Sequence, residues 1–91
     1  MELAIGYTTH LWQEGEQFIA HAMPLDVASS GDSPDAARKA LDEAVHLFLE
    51  TAKDHGTLEQ ILEDSGYVRE GELWQNPKWI SVEPRETVLK A

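Results

Sequence analysis

The run "SPDAARKALDEAVHLFLETAKDHG", residues 33–56, constrains the fold more than any other part of the chain. Ser33 is a strong N-cap, and Pro34 falls at the first helical position, where its missing N–H has no partner to lose. Asp35 complements the positive end of the helix dipole. On a helical wheel Ala37, Leu41, Ala44, Val45, Phe48 and Ala52 form one stripe, with Leu47 and Leu49 widening it on its flanks. Asp35, Lys39, Asp42, Glu43, His46, Glu50, Lys53 and Asp54 take the opposite side. Gly56 is a natural residue to close the helix. The pattern predicts one long helix over 33–55, with Leu41 and Phe48 among its most buried side chains. A helix with one apolar face needs a second layer to cover it.

Strands supply that layer. From Leu3 to Leu11 the side chains alternate at the period of a strand, Glu14-Gly15 offers a turn, and "QFIAHAM" returns. A tight turn at those two residues sets Leu11 opposite Phe18, Thr9 opposite Ala20 and Tyr7 opposite Ala22. The other face then carries His10, Trp12, Ile19, His21 and Met23, apolar enough to be an oligomer interface. "LDVASS" reads as a third strand, before the turn and cap formed by Gly31, Asp32, Ser33 and Pro34. After the long helix, Thr57 and Gln60 have capping-box spacing for a short second helix that ends at Gly66. "YVREGELWQNPKWISVEPRETVLKA" is strand-like, with a turn expected at Asn76-Pro77 and Trp74 and Trp79 as a cross-strand pair about it. The order β-β-β-α-(α)-β describes one small α+β domain over residues 1–91, a sheet with the long helix packed on one face.

At 91 residues a domain buries only about 60–65% of its unfolded surface, so self-association is expected, as a dimer or as a tetramer of dimers. Seven Lys and Arg against seventeen Asp and Glu give a net charge of −10, and no basic side chain occurs before Arg38. Such a surface repels a phosphate backbone, so no direct nucleic-acid binding is expected, and it attracts a basic protein. There is no cysteine for disulfides, thiolate metal sites or nucleophiles. With neither a signal-peptide pattern nor a membrane-length apolar run, a cytoplasmic protein is expected.

A glycine-bearing loop at a helix start raises the question of phosphate binding. One glycine beside Asp32, with no basic side chain before Arg38, answers it as a helix start. The same stretch, "LDVASSGDSPDAARKALDEAVHLFLE", resembles the core signature of the HicB-like antitoxin family. The match lies in Gly31, Asp32 and Ser33 of the turn, Ala37, the Glu43-Ala44 pair and Leu47-Phe48-Leu49-Glu50. With the preceding hairpin it covers residues 3–67. Ala36 stands where the family commonly has an acid, and Leu25-Asp26-Val27 where it often has Pro-Gly-Cys. The resemblance implies a fold similar to a shortened ribonuclease H, and a partner, a small basic HicA-type toxin that cleaves mRNA. Full-length members carry a C-terminal DNA-binding domain. This chain ends before one, so a stand-alone, partial HicB-like domain is expected.

Two-metal nuclease chemistry needs converging carboxylates, usually one on the first strand, and none occurs between Glu2 and Glu14. His10 and His21, diagonal neighbours in the expected register, lack a third metal ligand. No catalytic residue, cofactor or metal site is therefore assigned, and no enzyme is expected. The leading expectation is an antitoxin module whose outer helix arc of Asp42, Glu43 and Glu50 meets the toxin. The alternative is an orphan oligomeric accessory protein, and a ribonuclease H-type nuclease is the distant third.

Overall fold

The computed structural model describes residues 2–90. It is a mixed α+β fold with two three-stranded sheets and a long helix packed on one of them. The strands are β1 (Ala4–Ile5), β2 (Thr8–Glu14), β3 (Gln17–Met23) and β4 (Val27–Gly31), then β5 (Val68–Glu70) and β6 (Leu73–Gln75). The helices between them are α1 (Pro34–Asp54) and α2 (Leu58–Asp64).

Helix α1 forms as its end signals require. The Ser33 hydroxyl oxygen accepts from the Ala36 N–H at 3.0 Å, satisfying one orphan donor of the first turn. At the other end the Thr57 N–H donates to the Ala52 carbonyl at 2.9 Å and the Gly56 N–H to Lys53 at 3.0 Å. That is a Schellman closure, and it needs the left-handed φ of 74° that Gly56 adopts without steric penalty. The closure repeats after α2, where Tyr67 donates to Leu62 and Gly66 to Glu63. Because Thr57 already serves the end of α1, it does not form the expected capping box. Its hydroxyl turns back to the Ala52 carbonyl, and Gln60 donates to Asp64 instead.

The sheet β2-β3-β4 is an antiparallel meander. Its first turn lies at Gly15-Glu16, one residue later than expected, because Gly15 supplies a φ of 61° at the first turn position, as in a type II′ hairpin. Leu11 therefore pairs with Ala20, Thr9 with Ala22 and Gln13 with Phe18. The pairing has shifted by two residues, so each side chain keeps its expected face. Leu11, Phe18, Ala20, Ala22 and Val27 face α1. The same Gly-Glu device, with Gly71 at φ 61°, joins β5 to β6. It replaces the hairpin expected at Asn76-Pro77, so Trp74 and Trp79 do not pair across strands. Trp74 is buried, with the Arg69 guanidinium 5.6 Å from its ring centre, and Trp79 donates to the Thr8 hydroxyl at 3.1 Å.

The expected first strand is broken at Gly6-Tyr7. Its first part, β1, pairs in parallel with β6, through Ala4 N–H to Glu72 and Gly6 N–H to Trp74. A parallel pairing needs a crossover, which the intervening segment with α1 and α2 supplies. Asn76, with its amide turned to donate to Gly6 at 3.0 Å and accept from the Tyr7 N–H at 3.2 Å, holds the break.

The core joins Ala20, Ala22, Ala37, Leu41 and Val45 between sheet and helix to Ala52, Leu58, Leu62, Tyr67 and Trp74 at the other end. Leu41 is fully buried as expected, but Phe48 is 36% exposed. The covered arc of α1 runs along Ala37, Leu41, Val45 and Ala52, and Phe48 lies at its edge beside Leu47, which is 67% exposed. Gly31 sets how closely α1 sits on β4. A Cβ there would come within 2.7 Å of the Ala37 nitrogen and 2.8 Å of the Ala36 carbonyl carbon.

Candidate functional site

Three surfaces hold the side chains that the sequence singles out. The first is the outer arc of α1. Glu43 and Glu50 are exposed on its solvent side. Lys53 donates to Glu50 at 3.2 Å, and His46 Nε2 stands 3.5 Å from its other oxygen, so part of this arc is knitted by i,i+3 and i,i+4 pairs. Glu43 makes no hydrogen bond or ion pair among the described residues. Asp42 is exposed on the same arc and accepts a hydrogen bond from the Tyr7 hydroxyl.

That bond marks a groove the sequence did not disclose. About 570 Å³ in volume, it runs between α1 and β1. Leu3, Ile5, Val45, Leu49 and Leu58 form its apolar lining, and Glu2, Asp42, His46, Glu50 and Lys53 its polar lining. Burial, then the Asp42 hydrogen bond and charge, push the Tyr7 hydroxyl up to about 12. Burial alone pushes Tyr67 up to about 12, and its hydroxyl donates to the Gly6 carbonyl at 2.5 Å. Both phenols are therefore neutral hydrogen-bond donors at neutral pH. Nothing local in the sequence links Tyr7 to Asp42. They are 35 positions apart and meet only because the fold brings the link between β1 and β2 beside α1.

The second surface is the face of the meander turned away from α1. Trp12 pairs with Ile19, His10 with His21 and Thr8 with Met23. The histidines are directly opposite rather than diagonal, a consequence of the two-residue shift. His21 Nε2 lies 2.6 Å from an Asp26 carboxylate oxygen, and Asp26 holds a left-handed φ of 60° in the turn before β4. Trp12 is 41% exposed, its ring edge-on to His21 at 6.2 Å. The residues expected at an oligomer interface are thus gathered on one face and left partly open. Among the described residues no three His, Cys, Asp or Glu side chains gather as a metal site.

The third is the turn at Gly31, Asp32, Ser33 and Pro34. Ser33 caps, Pro34 opens the helix, and Gly31 allows close approach, so the signature residues have mechanical roles here. Asp32 is exposed.

Beyond these, Glu2, Glu14, Glu16, Asp26, Asp32 and Asp35 are all exposed. No helix among the described residues is long and apolar enough to cross a membrane. Compared with known proteins, the chain matches no family model, no curated protein and no solved structure.

Proposed function

We propose that this chain is a protein-binding module of the HicB-like antitoxin kind, and that it masks a small basic HicA-type toxin rather than catalysing a reaction. The observation that carries the reading is charge on display. All six acids of residues 1–37 are exposed, with no Lys or Arg among those residues to balance them. Glu43 and Glu50 extend the acidic surface along α1. Such a field accelerates encounter with a basic protein and orients it. The meander that leads through Gly31-Asp32-Ser33 into α1 is the arrangement on which the family resemblance rests.

The test is Glu43→Lys with Glu50→Lys, assayed by stopped flow against a HicA-type toxin at low and moderate salt. Asp42 is left alone, since its bond to Tyr7 would confuse binding with folding. Folding should shift by less than about 0.5 kcal/mol. The association rate should fall about tenfold or more at low salt, with the gap narrowing as salt rises. Unchanged association at both salts removes this arc from the contact surface. Absence of any complex at micromolar concentrations removes the reading itself.

A second reading, a self-associating accessory protein without a toxin, draws on the partly open face of Trp12, Ile19 and Met23.

A further inference from the structure

From Pro77 to Lys90 the chain joins no helix or strand, and residues 78–90 make no backbone–backbone hydrogen bond among the described residues. Ile80, Val82, Val88 and Leu89 are 87%, 71%, 90% and 84% exposed. A globular chain does not ordinarily leave four large aliphatic side chains so bare within ten residues. The Cα radius of gyration, 15.5 Å, exceeds the roughly 12 Å of a compact chain of this length, as an outlying segment requires.

We infer that this segment lies on the open sheet face of a second copy of the chain, the two copies exchanging tails about a two-fold axis. The inference rests on the self-association reading and deepens it. Trp79 is hydrogen-bonded to Thr8, at the end of the open face where β2 meets Met23, so the tail starts beside that face. Residues 80–90 do not fold back onto it, yet in extended form they reach up to about 36–40 Å. That is longer than the seven-residue strand β2, at about 24 Å, so one tail can traverse a neighbour's whole face. Because each copy carries one tail and one face, reciprocal docking closes into a dimer.

Charge is compatible with this occupant. Residues 80–90, the part beyond the Trp79 anchor, carry Arg85 and Lys90 against Glu83 and Glu86, with no net charge. Residues 1–77 carry four basic and fifteen acidic side chains, net −11. The receiving face is bounded by Glu14 at its hairpin end and Asp26 at the other, and both are exposed. An apolar segment free of the acidic excess of residues 1–77 can lie on an apolar face edged with acids without net repulsion. Its own chain provides one.

The chain has no cysteine, so Val82→Cys carries a single nitroxide label. Labelled copies are mixed with unlabelled, ¹⁵N-enriched wild type, and the mass is measured on the same sample. We expect two copies of the 10.2 kDa chain. The amide signals of Trp12, Ile19 and Met23 should lose at least half their intensity, and recover when the nitroxide is reduced. Full-length Ile80→Ser with Val82→Ser should weaken the dimer at least tenfold while leaving the circular dichroism unchanged. A dimer whose signal loss falls on Leu47, Phe48 and Ile61, or nowhere, overturns the tail placement while self-association stands. So does a double-serine variant with the wild-type dissociation constant. A single 10.2 kDa species at the concentration used overturns both.

Discussion

Leu41 and Phe48 lie two turns apart on α1, and a helical wheel places both within one apolar stripe. In the fold Leu41 is fully buried, whereas Phe48 borders a groove of about 460 Å³ that it shares with Leu47, Thr51 and Ile61. The difference comes from the partner layer. β3 and β4 cover the arc through Ala37, Leu41 and Val45, and the flank through Leu47 and Phe48 extends past their reach. A helix announces how wide its apolar face is. What covers that face belongs to the rest of the molecule.

The sharpest way to break this contrast is truncation on each side of it. Leu41→Ala should cost about 2–5 kcal/mol, because it opens a cavity in the tightest part of the core. Phe48→Ala should cost clearly less, about 1 kcal/mol, since its ring already meets solvent. Urea denaturation of both variants decides the matter, and equal losses would mean the flank is covered in solution.

Gly31→Ala probes how close the covered side sits. The added methyl meets backbone rather than a movable side chain, so helix and strand must separate, at about 1–3 kcal/mol. A thermal midpoint unchanged from wild type would show that the approach is looser than 2.7 Å.

The two helix starts sharpen the comparison on a smaller scale. Ser33→Ala removes a capping bond and should cost about 1 kcal/mol. Thr57→Ala removes only a 3.3 Å bond to the Ala52 carbonyl and should cost less. Calorimetry on the pair ranks them, and the reverse order would restore a capping role to Thr57.

The smallest effect is pH-dependent and separates the groove side of α1 from its flank. Tyr7 and Tyr67, the two tyrosines of the chain, are raised from 10.0 to about 12, so the fold favours their protonated forms. Their contribution is fully present below pH 10 and is lost as pH rises through about 12. Tyrosinate absorbance should therefore lag that of the unfolded chain over this window. Tyr7→Phe should remove part of the alkaline loss of stability, and Phe48→Ala none of it. A tyrosinate titration matching the unfolded chain would place both hydroxyls in water.

The legible parts of the fold are those whose causes are local. Ser33, Pro34 and Gly56 set the ends of α1 through contacts within five residues, and strand alternation assigned the faces of β2 and β3 even though the pairing slid by two. The Gly15-Glu16 and Gly71-Glu72 turns carried a readable signal as well, since glycine at the first turn position supplies the positive φ that such a turn needs. Exposed acid, too, follows from composition, because unpaired carboxylates stay in water.

Tertiary structure alone decided the rest. The break at Gly6-Tyr7, the parallel pairing of β1 with β6 and the Tyr7–Asp42 bond join positions that are 35 or more residues apart. No period or spacing encodes such contacts. They depend on where a 21-residue helix comes to rest across shorter strands, and that is settled by close packing of the whole core, down to the missing side chain of Gly31.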